Sequence, residues 1–172
     1  MVKANKVYKV LGISGSLRVK SLSLAAIKYA GTVFPAGRMT LEIAQYADIP
    51  VYNGDVEDKS MPESVMRLHA QILAADAILI GSPEYNYSIS GALKNAIDWV
   101  SRVPTNPWEK KPVAIIGCTA GRSGGVRSIY ELRKILMAFD AYILTKECNI
   151  PANYLKFDQN QNLTDKEIQT AI

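Results

Sequence analysis

The chain has 172 residues, 20 Lys and Arg against 16 Asp and Glu, and a formal net charge of +4. With 48% hydrophobic and 21% charged residues, it has the composition of a globular protein, and disorder, collagen and coiled coil are excluded. This length suits one domain spanning residues 1–172.

Val7–Ser14 (VYKVLGIS) is the first of several short, almost uninterrupted apolar runs and predicts a buried strand. Leu22–Phe34 then predicts a helix, with apolar residues at 22, 26, 29, 30 and 33. Leu41–Gln45 predicts a strand and Met61–Ala75 a helix, with Pro62 in its first turn. Ala77–Gly81 and Gly91–Val100 repeat the pair, as do Pro112–Cys118 and Gly125–Phe139. Ala141–Thr145 predicts a fifth strand, and Thr164 is placed to cap a short last helix, with Glu167 three residues on. The order β-α-β-α-β-α-β-α-β implies an α/β fold with a doubly wound, five-stranded parallel sheet and helices on both faces.

Such sheets bind ligands beyond the carboxyl ends of their strands. Three loops leave those ends. Gly15–Ser23 (GSLRVKSLS) offers hydroxyls, two cations and a helix start, with no acid among residues 1–40. That combination favours a small anion, and Arg18 grips phosphate through two donors; the alternative is that Ser21 only caps the helix and the cations are solvated. Neither GxGxxG nor GxxxxGK[ST] is present, so a mononucleotide is favoured. Ser82–Ser90 (SPEYNYSIS) brings two tyrosines and several amides to the second strand end, suited to the edge of a flat heterocycle or to a tight turn with packed rings. Thr119–Gly125 (TAGRSGG) is glycine-rich and admits close backbone approach or a flexible surface turn.

The segments GISGSLRVKSLS, GSPEYNYSISGALKNAIDWVSR and GCTAGRSGGVRSIYELR resemble the NADPH-dependent FMN reductase family, flavodoxin-like flavoproteins that include quinone, chromate and azo-dye reductases. The resemblance implies that Ser16, Arg18, Ser21 and Ser23 bind the FMN phosphate. It implies that Pro83, Glu84, Tyr85, Asn86 and Tyr87 hold the isoalloxazine and ribityl chain, and that Thr119, Ala120, Gly121 and Gly124 form a third wall. Two positions depart from the family pattern. Ser23 stands where Asn is common and has a shorter reach. Ser90 stands where Pro is common, which leaves that turn freer.

The implied activity is FMN-dependent NAD(P)H oxidation. Hydride passes from NADPH or NADH to flavin N5, then electrons pass to a quinone, azo compound, free flavin or chromate. The cofactor carries the chemistry, so no catalytic side chain and no metal are expected. A flavodoxin-like electron carrier without nicotinamide turnover is the alternative, although carriers tend to be acidic and this chain has a pI of about 9.0. Arg102 and Arg122 are candidates for the NADPH phosphates, with a solvated or interface role as the alternative.

Gly121–Gly125 also fits a hydrolase nucleophile elbow, but the only histidine, His69, precedes it and reads as a surface residue. Cys118 reads as a small packed residue. The resemblance implies a homodimer or homotetramer, and the Lys94–Val100 helix bearing Trp99 is a candidate to pack across a twofold axis, unless these residues fill the core. Nucleic acid and membrane insertion are not expected as partners, since no reading element accompanies the bases and no apolar run approaches the roughly 20 residues of a span. The N-terminus lacks a signal-peptide core and the two cysteines form no CxxC pair, so a cytoplasmic location is expected.

Overall fold

The computed structural model describes residues 6–172, so the first five residues of the acid-free segment 1–40 lie outside the described residues. Eight of the principal elements fall where the apolar pattern puts them, give or take two residues, the first five being β1 (Tyr8–Ser14), α1 (Leu22–Thr32), β2 (Met39–Ile43), then, after a four-residue helix α2 (Gly54–Glu57), α3 (Glu63–Ala74) and β3 (Ala77–Ser82). The chain continues through α4 (Gly91–Val100), β4 (Pro112–Cys118), α5 (Val126–Met137), β5 (Tyr142–Ile143), β6 (Cys148–Ile150) and α6 (Lys166–Ala171).

All strand pairs are parallel, in the order β2-β1-β3-β4-β5, with β6 also on β4. The fifth strand position is therefore split: β5 pairs with Pro112 and Val113, and β6 with Ile116 to Cys118. Between them the sequence Leu144-Thr145-Lys146-Glu147 breaks the apolar run, which is why Ala141–Thr145 is shortened to two paired residues.

Period-two alternation sends side chains to both faces. Leu11 and Ile13 of β1 join one core with residues of α3, α4 and α5. Val10 faces the other, shared with α1 and the tail residues Phe157 and Leu163. A Cβ at Gly12 would sit 2.6 Å from Ile27 Cγ2, so glycine lets α1 lie close on the sheet.

Three expectations change. His69 is buried, its Nε2 2.7 Å from the carbonyl oxygen of Thr105; it secures α3 to a loop and is not a surface residue. Trp99 is fully buried, donates from Nε1 to the carbonyl oxygen of Pro50 at 2.8 Å, and meets Tyr52 edge-on. It fills the core and leaves nothing to offer a twofold interface. The last helix is capped by Asp165, which accepts from the Ile168 N–H at 3.1 Å; Thr164 instead bonds the Lys156 carbonyl.

Candidate flavin cleft

Strand order reverses between β1 and β3. Their register pairs Ser14 with Gly81, and Ser82 pairs with Gly117 of β4. The three loops therefore leave the sheet at one level. Gly15 donates to the Gly81 carbonyl at 2.7 Å, and a Cβ on Gly15 would lie 2.8 Å from Pro83 Cδ. The first two loops can touch only because this residue is glycine.

Loop one is tied down by serines. Ser14 Oγ donates to the Ser16 carbonyl at 3.0 Å and lies 3.3 Å from Ser21 Oγ. Ser21 caps α1, accepting from the Leu24 N–H at 3.1 Å. The Tyr46 hydroxyl donates to the Ser14 carbonyl, and burial pushes that phenol well above its ordinary range. The cap satisfies Leu24, and Ala25 bonds the Ser21 carbonyl. The N–H groups of Leu22 and Ser23 have no partner among the described residues. Arg18 and Lys20 are exposed and form no ion pair there. Two open donors, a helix dipole and two free cations together make an anion seat.

Loop two is a tight turn. Tyr85 and Ser88 exchange backbone hydrogen bonds at 2.9 and 3.0 Å, with Asn86 at φ 50° and Tyr87 at φ 69° between them. Two successive left-handed residues make a hairpin turn of the type that Asn favours. Ser90 fixes the far end. It is buried, accepts from the Leu93 N–H at 3.2 Å to cap α4, and donates to the Gly15 carbonyl. The serine therefore does not loosen the turn; it joins loop two to loop one.

Loop three divides. Thr119 and Ala120 line the cleft. Gly124 and Gly125 do not: both have positive φ, and a Cβ on Gly124 would lie 2.8 Å from Asn149 Cβ. These glycines permit backbone packing over Gly117 and β6.

The resulting cleft has a volume of about 540 Å³, within the roughly 300–1,000 Å³ of small-molecule sites. Of the predicted residues it brings together Ser16, Arg18, Ser21, Ser23, Pro83, Glu84, Tyr85, Thr119 and Ala120. Asn86, Tyr87, Gly121 and Gly124 are not among its walls. Lys20, Cys118, Asn153, Tyr154 and Gln161 also line it. Cys118 is buried at the end of β4, and Asn153 Nδ2 donates to its sulfur at 3.4 Å. Burial pushes this thiol up to about 11, against partial relief from Asn153 and Ser23. Arg102 is engaged elsewhere, pairing with Glu57 at 2.9 Å, whereas Arg122 is exposed.

A doubly wound parallel sheet carrying an anion seat and an open cleft at its switch point is the arrangement of flavodoxin-like proteins that bind a mononucleotide. The chain belongs to the NADPH-dependent FMN reductase family, whose model matches residues 8–154. An NAD(P)H-dependent FMN reductase of Pseudomonas aeruginosa is 47% identical over 165 residues, covering 95% of this chain and 89% of that protein. A quinone reductase of Escherichia coli is 41% identical over 139 residues, covering 80% and 74%. Among solved structures, the NAD(P)H:acceptor oxidoreductase FerB of Paracoccus denitrificans superposes with a TM-score of 0.80 at 32% identity, covering 95% of this chain and 92% of that one. The chain is thus an oxidoreductase that uses FMN and NAD(P)H, and the carrier alternative falls away.

Proposed function

We propose that the cleft holds FMN with its phosphate at the start of α1 and its ring system along loops two and three, and that the protein passes electrons from NAD(P)H to small acceptors such as quinones, azo compounds, free flavin or chromate. The observation that carries this is the convergence of Arg18, Lys20 and the free N–H groups of Leu22 and Ser23 on one cleft. That donor set fits a dianionic phosphate: charge-assisted bonds from Arg18 and Lys20, backbone donors from the helix end, and hydroxyls from Ser16 and Ser21. Bound FMN supplies hydride acceptance and one- or two-electron release.

The protein's own contribution is binding and exposure. Pro83 and Thr119 wall the cleft, while Tyr85 stands half-exposed at its mouth and leaves room for a flat donor or acceptor to approach. No titratable side chain within the cleft needs to exchange a proton for this role. Asn86, Tyr87 and Gly124 shape the loops that carry the ligand walls through their left-handed backbones. Arg122 remains the candidate for a phosphate of the nicotinamide nucleotide.

The exposed Tyr85, Tyr87, Tyr154 and Leu155 support a homodimer or homotetramer. No helix among the described residues is long and apolar enough to cross a membrane. Cys118 and Cys148, both unlinked, fit a reducing, cytoplasmic location, and the chain is proposed to act as one domain.

The test is anaerobic. The purified protein is loaded with FMN and titrated with NADPH or NADH, then with a benzoquinone. Bleaching of the flavin band followed by its return with the quinone is expected. Bound flavin that neither nucleotide bleaches would overturn the reading.

A further inference from the structure

Glu84 is an odd residue for a cleft built to take an anion. Its side chain is only 7% exposed, and it is the one carboxylate among the residues that line the cleft. A buried carboxylate there opposes an anionic ligand unless it is compensated.

The compensation comes from a residue outside the cleft walls. The Arg127 guanidinium pairs with Glu84, its Nε donating to Oε1 at 2.7 Å, and the Arg127 backbone N–H donates to Oε2 at 3.2 Å. Ser123 Oγ adds a longer bond to Oε2 at 3.4 Å. The same guanidinium lies 4.0 Å from the centre of the Tyr87 ring, over the turn whose two central residues are left-handed. One side chain therefore cancels the only negative charge of the cleft and presses on the strained turn of loop two. Both contacts start from the first turn of α5, where backbone donors also favour a carboxylate.

We propose that Arg127 is a positioning residue for the cofactor: it acts through Glu84, neutralising this carboxylate so that the cleft stays positive toward the FMN phosphate. The inference rests on the cleft being the FMN site. Removing Arg127 leaves Glu84 as an uncompensated buried charge facing the same cavity as Arg18. FMN, with its dianionic phosphate, is then repelled, whereas riboflavin, which carries no phosphate, is affected little. Because the defect is electrostatic, it disappears when the carboxylate is also removed. A purely structural pin behaves differently, since cutting both of its ends repairs nothing.

The experiment measures FMN and riboflavin affinities of apo-protein by fluorescence quenching, for wild type, Arg127→Met, Glu84→Gln, Arg127→Met with Glu84→Gln, and Arg18→Ala. Arg127→Met is expected to weaken FMN about 10- to 50-fold, with riboflavin changed less than about threefold, as one uncompensated charge at low effective dielectric dictates. The double variant is expected to return FMN affinity to within about threefold of wild type. Glu84→Gln alone is expected to steepen the salt dependence of FMN binding, because the cleft then carries one more net positive charge. FMN and riboflavin falling together in Arg127→Met, or a double variant as weak as the single one, would overturn the proposal. If Arg127→Met does not fold, Glu84→Gln decides alone, and a salt dependence of FMN binding no steeper than that of wild type overturns the proposal. Should Arg18→Ala also leave FMN affinity untouched, it is the placement of the phosphate that fails, and the two failures are distinct.

Discussion

Ser90→Ala removes two hydrogen bonds that hold the cleft's walls together. The cap to the Leu93 N–H is worth about 1 kcal/mol. The bond to the Gly15 carbonyl is buried, and leaving that acceptor unsatisfied costs about 1–2 kcal/mol more. No other donor to the Gly15 carbonyl exists among the described residues. The total is about 2–3 kcal/mol, which for a chain of this size lowers Tm by about 4–12 °C. Thermal unfolding of apo-protein followed by far-UV circular dichroism measures it, away from any effect of the ligand. Freed from α4, loop one also loses its fixed height above Gly81, so FMN should dissociate several-fold faster. A Tm within 2 °C of wild type would refute the reasoning, because it would mean that neither bond carries weight. Ser90→Pro is a useful companion: the backbone φ of −67° already suits proline, so this variant loses the same hydroxyl but regains part of the stability through a stiffer unfolded chain.

Other outcomes follow from the packing. Gly124→Ala meets a left-handed backbone and an Asn149 Cβ at 2.8 Å, so it should cost about 2–4 kcal/mol in urea unfolding. The FMN affinity of the folded protein should stay near wild type, and the reverse pattern would restore Gly124 to the ligand wall. The Cys118 thiol, pushed by burial from 9.0 to about 11, ionises more readily in the unfolded chain. Its contribution is complete below pH 9 and is lost as pH rises from 9 to about 11, amounting to about 2–3 kcal/mol. Cys118→Ala should flatten that alkaline limb of the stability profile, and an unchanged limb would contradict the shift. The native thiol should also resist iodoacetamide at pH 8 until the protein is unfolded.

The sheet was readable because its inner strands are buried on both faces: Ala77–Gly81 and Pro112–Cys118 are almost uninterrupted apolar runs, and the helices between them keep their period. The edge was not. Thr145 to Glu147 interrupts the fifth strand with a polar stretch, and β6 has three residues, too few for any pattern. Helix α2 is similarly short, although Asn53 before Gly54 and Asp55 was a usable cap signal. His69 looked exposed because the helix pattern around it is amphipathic and says nothing of the loop that covers it.

At the site, the first loop was legible through its chemistry, since hydroxyls and cations beyond a strand end have few other uses. The glycines of Thr119–Gly125 were ambiguous, because close approach to a ligand and close approach to β6 leave the same mark in a sequence. Arg127 carried no signal at all. Its partner Glu84 lies forty-three positions away, and only the α5 fold-back brings the two together. Asn153, Tyr154 and Gln161 were hidden for the same reason in an irregular tail.

The central claim is the position of the FMN phosphate, and Arg18→Ala tests it most directly. FMN and riboflavin are titrated into wild-type and variant apo-protein under the same conditions. Losing a charge-assisted phosphate contact of about 1.5–3 kcal/mol weakens FMN about 10- to 150-fold, while riboflavin binding should change less than about twofold. Equal loss for both ligands, or no loss for either, would contradict the account.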